Sequence, residues 1–124
     1  MKKKILLIDD EEDFCHFVKL NLEETGKFEI LTTTSGPEGL EIAKSDSPDL
    51  ILLDLLMPVM DGSEVAENLL KSEATRNIPI IFVTALTRKK EVASHSGTIG
   101  GRTFIAKPVA PQELIAYIEK FLGE

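Results

Sequence analysis

The sequence contains a single cysteine, Cys15, so no disulfide can form within the chain. Because disulfides are typical of oxidising compartments, their absence favours a reducing, cytoplasmic setting. Long apolar runs are also absent: the run at residues 5–8 follows three lysines and ends at two aspartates. It is too short for the core of a secretory signal or for a membrane span. The sequence therefore predicts a soluble protein that stays where it was made.

Basic residues are outnumbered, since 14 Lys and Arg stand against 21 Asp and Glu and give a formal net charge of −7 at pH 7. Such a balance repels nucleic acid and anionic lipid, so we expect neither direct nucleic-acid binding nor membrane binding. The length of 124 residues suits one domain that buries a core without a metal or a disulfide. No linker, internal repeat or low-complexity tract divides the chain, and we expect one domain over residues 1–124.

Short apolar runs alternate with segments of helical periodicity. The runs occupy residues 5–8, 28–31, 50–53, 80–83 and 104–106. Helices are predicted at residues 14–22 before Gly26, after Asp61 and after Pro111, with weaker ones around 37–44 and 87–95. Residues 94–101 are interpreted as a frayed helix end and a loop. Five repeats of strand and helix predict an α/β fold, a doubly wound parallel sheet with helices on both faces.

Polar residues follow four of the five predicted strands: Asp9 and Asp10 the first, Asp54 the third, Thr84 the fourth and Lys107 the fifth. In an open α/β sheet the ligand lies outside the carboxyl ends of the strands, so these residues are expected to converge. Carboxylates without a Cys or His cluster fit Mg²⁺ better than Zn²⁺. With a lysine and a hydroxyl, the set suits phosphoryl oxygens, and a carboxylate there could be the nucleophile.

Each of these residues also has an ordinary structural interpretation. Asp9 and Asp10 begin a run of acids and could be the acidic start of a helix. Thr84 could be a strand-end hydroxyl, and Lys107 could be a solvated loop residue. Asp54 is harder to explain in this way, because burying a carboxylate beside an aliphatic strand is unfavourable. The occurrence of all of them at strand ends favours one common site.

Four segments together resemble the signature of two-component response-regulator receiver domains. They are Asp9-Asp10-Glu11, the stretch DLLMPVMDG at residues 54–62, Thr84-Ala85 and Lys107-Pro108. The resemblance covers essentially the whole chain and implies a flavodoxin-like fold with five helices and a five-stranded sheet in the order 2-1-3-4-5. It implies a phosphoacceptor switch rather than an enzyme with an external product: the chain would catalyse only its own phosphorylation and dephosphorylation.

The resemblance also assigns residue roles. Asp54 would accept a phosphoryl group from phosphohistidine on a sensor histidine kinase or a phosphotransfer protein. Asp10 would bind Mg²⁺ directly and Asp9 largely through water, with Asp54 and the backbone carbonyl of Leu56 as further ligands.

Lys107 would pair with the phosphoryl group and Thr84 would hydrogen-bond to it. Phe104 occupies the switch position of the family, and the peptide bond before Pro108 is expected to be cis. The face formed by the fourth helix, fifth strand and fifth helix would then change its binding of a downstream protein. Residues 100–103, Gly-Gly-Arg-Thr, depart from the Gly-Ala and acidic residues usual before the switch aromatic, which affects the partner-facing surface.

Two other functions stay open at this point. A small phosphatase of the haloacid dehalogenase type would also use an aspartate nucleophile with Mg²⁺. Such enzymes resemble Asp-x-Asp at the nucleophile, whereas here Leu56 stands in place of the second aspartate. A pseudo-receiver would bind partners without phosphorylation, which the presence of all five site residues disfavours. Cys15 is interpreted as a packed helix residue, because no base is placed to activate it.

Overall fold

The computed structural model describes residues 2–55, 57–84, 98–99 and 102–123, with the backbone alone at residues 84, 98, 99 and 102. The strands in this part of the chain are β1 (Lys3–Ile8), β2 (Phe28–Thr33), β3 (Leu50–Leu53), β4 (Ile80–Thr84), β5 (Thr98–Ile99) and β6 (Arg102–Ala106). The helices in the same part are α1 (Glu12–Glu23), α2 (Gly36–Asp46), α3 (Gly62–Lys71) and α4 (Pro111–Leu122). No helix among these residues is long and apolar enough to cross a membrane.

The strands form one sheet in the order β2-β1-β3-β4-β6-β5. All pairings from β2 to β6 are parallel, which confirms the predicted parallel sheet of order 2-1-3-4-5 once β6 is counted as its fifth strand. The interpretation of residues 94–101 as only a helix end and a loop was wrong at β5, which pairs antiparallel with β6 at the sheet edge. A strand of two residues has no hydrophobic period to detect, because its pairing with β6 defines it.

The predicted strand runs are aliphatic because both faces of the sheet are covered. Alternate residues of β1 belong to two separate cores: Ile5 and Leu7 pack with α1 and α4, whereas Leu6 and Ile8 pack with α2 and α3. Side chains that alternate between two buried faces must all be apolar, and this gives the continuous run that the sequence shows. The described helices therefore lie on both faces, as predicted. The helix predicted at residues 87–95 lies outside the described residues.

Local signals fix the ends of the helices that flank the site. The carboxylate of Asp61 caps α3 by accepting a hydrogen bond from the backbone N–H of Glu64 at 3.0 Å. Pro111 occupies the first turn of α4, where its missing N–H costs nothing. At Gly62 a Cβ atom would lie 2.2 Å from the backbone oxygen of Asp54, so only glycine lets α3 begin this close to the end of β3.

Candidate functional site

Two aspartates leave neighbouring strands side by side at the carboxyl edge of the sheet. Ile8 and Leu53 are paired in register as the last residues of β1 and β3, and Asp9 and Asp54 directly follow them. The backbone continues this pairing beyond the strands: the N–H of Asp54 donates to the carbonyl of Ile8 at 3.0 Å, and the N–H of Asp9 donates to Thr33 at 3.1 Å. The sheet itself thus fixes the positions of both carboxylates.

The side chains of Asp9, Asp10 and Asp54 form one acidic cluster. One carboxylate oxygen from each lies within 4.8 Å of the others. Asp9 is 0% exposed and Asp54 is 4% exposed, whereas Asp10 lies at the surface. Burial raises the pKa of Asp9 above its ordinary value, although Lys107 and the backbone N–H of Glu11 oppose this shift. Negative charges this close repel one another, so the cluster requires a cation.

Lys107 supplies a positive charge to this cluster. Its Nζ lies 2.7 Å from Oδ2 of Asp9, 2.6 Å from Oε1 of Glu11 and 3.9 Å from Oδ2 of Asp54. Burial opposes the charged form of Lys107, but the contacts with Asp9 and Glu11 outweigh it and raise the pKa of Lys107 above its ordinary value. The ammonium also lies 4.4 Å from the centre of the Phe14 ring, in a cation–π contact. The lysine is therefore charged and held on several sides.

The donor set of the cluster fits a magnesium ion. Oδ2 of Asp9 is buried and faces Nζ of Lys107 at 2.7 Å. A buried carboxylate oxygen of this kind has capacity for a further electropositive partner. All the donors in the cluster are hard oxygens, which Mg²⁺ prefers. Leu56, whose carbonyl the resemblance names as a further ligand, lies outside the described residues.

The loop between β3 and α3 folds tightly beside Asp54. The N–H of Gly62 donates to the carbonyl of Leu55 at 2.9 Å and closes the loop at its base. Val59, near the loop tip, is 97% exposed and has a φ angle of 70°. This left-handed conformation is unfavourable for a β-branched residue. The loop that carries the Met-Pro-Val-Met-Asp-Gly motif therefore contains backbone strain at Val59.

The two predicted switch residues end neighbouring strands. Thr84 pairs in register with Ala106, which places its backbone beside β6, but its side chain is not described. The half-buried ring of Phe104 stacks on Phe82 of β4, with ring centres 5.0 Å apart and planes inclined by 20°. The Lys107–Pro108 peptide bond is cis, as the resemblance predicts.

The contacts of Lys107 with Glu11 and Phe14 were not predicted from the sequence. Residues 9–13 are all acidic, and the spacing alone does not say which of them faces a lysine from a distant strand. Phe14 follows the same helical period as core residues, so only the structure reveals its contact with the ammonium.

Cys15 is a packed helix residue, as predicted. It is buried, its thiol donates to the carbonyl of Asp9, and burial raises the pKa of the thiol to about 11.

Residues 5–119 match the sequence model of the response regulator receiver domain. The chain belongs to this family. It is 35% identical over 123 residues to the alkaline phosphatase synthesis transcriptional regulatory protein PhoP of Bacillus subtilis, covering 98% of this chain and 49% of PhoP. It thus spans about half the length of that relative. It is 34% identical to the polar-differentiation response regulator DivK of Brucella abortus, covering 100% of this chain and 99% of DivK.

Solved receiver structures share the fold. The chemotaxis protein CheY4 of Vibrio cholerae superimposes with a TM-score of 0.83 at 26% identity, covering 98% of this receiver and 99% of CheY4. The receiver domain of the sensor histidine kinase PA1611 of Pseudomonas aeruginosa superimposes with a TM-score of 0.82 at 25% identity, covering 100% of both chains. That domain holds a magnesium ion in its active-site cleft. This receiver is accordingly a two-component signalling domain, with an acidic cluster suited to a metal.

Proposed function

We propose that this receiver is a phosphoacceptor switch in which Asp54 takes a phosphoryl group in a Mg²⁺-dependent reaction. The donor is phosphohistidine on a sensor histidine kinase or a phosphotransfer protein. The observation that carries the proposal is the placement of Asp54, which is 4% exposed, in the acidic cluster and 3.9 Å from the ammonium of Lys107. A carboxylate held in this way is suited to form an acyl phosphate.

The transfer balances as a displacement at phosphorus. A carboxylate oxygen of Asp54 forms the new O–P bond while the N–P bond of the phosphohistidine breaks. The electron pair of that bond stays on the imidazole nitrogen, so no proton has to leave Asp54. Because Asp54 already lies beside Lys107, the positive charge needed by the incoming phosphoryl oxygens is present before the reaction starts.

Asp9, Asp10 and Asp54 would hold the magnesium ion, with the backbone carbonyl of Leu56 as a further ligand. When bound, Mg²⁺ would neutralise the cluster and stabilise the charge on the phosphoryl oxygens. Buried Asp9 is held by the sheet rather than by a flexible loop, so its carboxylate needs little reorganisation. This supports a preformed cation site.

Lys107 and Thr84 would recognise the phosphoryl group once it is on Asp54. The lysine provides charge and the hydroxyl provides a hydrogen bond, so both groups favour the phosphorylated state by contacts that the free state lacks. Phe104 stacks on Phe82 of β4, the strand that ends at Thr84, and would transmit the change to the face that includes β6 and α4. A downstream protein would bind that face.

Acetyl phosphate with Mg²⁺ tests the chemistry without a kinase. We expect intact-mass spectra to show the gain of one base-labile phosphoryl group, which is lost in Asp54→Asn. The matched control is Asp13→Asn, which removes an exposed aspartate of the first turn of α1 and should leave the modification unchanged. Modification of Asp54→Asn to the level of the unaltered protein would refute the proposal. Turnover of a generic phosphomonoester would instead favour a phosphatase.

A further inference from the structure

Lys107 is held more closely by two other carboxylates than by that of Asp54. Its Nζ lies 2.7 Å from Asp9 and 2.6 Å from Glu11, against 3.9 Å from Asp54. The ammonium has three N–H donors, and it also contacts the ring of Phe14. Two of the three donors thus face Asp9 and Glu11, and a phosphoryl group on Asp54 would compete with these carboxylates for the ammonium.

Of the two close partners, Glu11 is the one that can give way. Asp9 is 0% exposed and its backbone, directly after β1, is held by a hydrogen bond to Thr33, so its carboxylate cannot turn to water. The Glu11 side chain is 61% exposed, so its carboxylate can be hydrated as soon as it releases Lys107. The contact with Glu11 is thus reversible in a way that the contact with Asp9 is not.

The start of α1 directs Glu11 toward the lysine. Glu11 is the N-cap residue of α1, and its backbone N–H donates to Oδ1 of Asp9 at 2.9 Å. Its side chain makes no capping hydrogen bond with the helix, a function that shorter side chains such as those of Ser and Asp perform better. The carboxylate instead accepts a hydrogen bond from Lys107. The local backbone therefore ties Glu11 to Asp9, while its side chain is free to restrain the lysine.

We propose that Glu11 is a positioning residue that competes with the phosphoryl group on Asp54 for the ammonium of Lys107. This inference rests on the proposed function of Asp54. Removing the Glu11 charge should strengthen the pairing of Lys107 with the phosphoryl group, and so favour the phosphorylated state. Because one partner of this ion pair is largely exposed, we expect a modest effect, about two- to fivefold.

Beryllofluoride, which mimics the phosphoryl group, tests the competition directly by calorimetric titration at saturating Mg²⁺. Glu11→Gln should bind it about two- to fivefold more tightly than the unaltered protein. Glu12→Gln is the matched control, since Glu12 is the exposed next residue and makes no ion pair among the described residues. It removes the same charge beside the site and should change the affinity by less than twofold, about the lower limit expected for Glu11→Gln.

A double-mutant cycle with Lys107→Gln separates competition from a general charge effect. In the Lys107→Gln background, Glu11→Gln should no longer increase the affinity. An equal increase in both backgrounds, or equal effects of Glu11→Gln and Glu12→Gln, would overturn the inference and leave the role of Asp54 intact. If Lys107→Gln binds too weakly to titrate, the comparison of Glu11→Gln with Glu12→Gln decides. Failure of the unaltered protein to bind beryllofluoride would instead contradict the proposed function itself.

Discussion

Replacing Lys107 by methionine should destabilise the metal-free protein much more than an ordinary loss of surface charge. Methionine is close to lysine in shape but has no ammonium, so it leaves the carboxylate of Asp9 buried without its cation. Asp9 is 0% exposed and the Lys107 side chain is 9% exposed, so water cannot compensate for the loss. Breaking a buried ion pair by removing one partner costs about 3–5 kcal/mol.

The lower end of that range is expected here, since Asp9 has an alternative to remaining charged. Its pKa is already raised by burial, and without Lys107 the carboxyl can take up a proton more readily. We therefore expect the free energy of unfolding to fall by about 3 kcal/mol. The control is Lys71→Met, which breaks the 3.8 Å pair with Glu67 between side chains that are 71% and 68% exposed. Such a pair contributes less than about 0.5 kcal/mol.

Urea unfolding followed by far-ultraviolet circular dichroism measures both variants, first in a chelator and then with Mg²⁺. In the chelator, Lys107→Met should unfold at clearly lower urea than Lys71→Met. Added Mg²⁺ should narrow the gap, because the cluster without the ammonium should bind the cation more tightly and so gain more stability from it; binding at 100 times the Kd stabilises a folded state by about 2.7 kcal/mol. Equal unfolding midpoints of the two variants in the chelator would refute the reasoning that Lys107 is the cation that the cluster needs.

Two further predictions concern the acidic cluster and the neighbouring loop. Asp10→Asn and Asp54→Asn should each weaken Mg²⁺ binding about tenfold or more in calorimetric titration, because each removes a charged oxygen from the cluster; unchanged affinity in both would sink the ligand assignment. Val59→Gly should raise the free energy of unfolding by about 0.5–1 kcal/mol, because relief of strain at a φ of 70° exceeds the entropy cost of glycine. Val59→Ala, which keeps a Cβ atom, should gain less, and equal stability of all three proteins in urea would argue against strain.

The sequence predicted the sheet well because its strands are buried on both faces. The run at residues 50–53 coincides with β3, and the other predicted runs differ from β1, β2, β4 and β6 by a few end residues. Those ends are polar or exposed, as at Lys3 and Thr33, so hydrophobicity does not mark them. β5 was missed because pairing with β6, rather than any pattern of its own, makes it a strand.

The sequence predicted which residues converge at the site but not which side chains contact one another there. Strand order brings Asp9, Asp54 and Lys107 to one edge of the sheet whatever their side chains do. Which acid holds the lysine depends instead on where α1 begins. Since the helix starts at Glu12, the side chain of Glu11 lies outside its first turn and reaches Lys107, whereas five acids in succession look alike in the sequence.

The same lysine thus connects stability with signalling. In the free state its charge offsets that of buried Asp9, and in the phosphorylated state we expect it to pair with the group on Asp54. The two demands are compatible if the lysine keeps its contact with Asp9 and gives up that with Glu11, and a bound cation among the same carboxylates would offset the charge that the phosphoryl group adds. A buried carboxylate at the end of a strand cannot turn away to water, so Asp9 needs a positive partner in both states. Lys107 and a metal ion in the acidic cluster would together provide it, while Glu11 releases the lysine to the phosphoryl group.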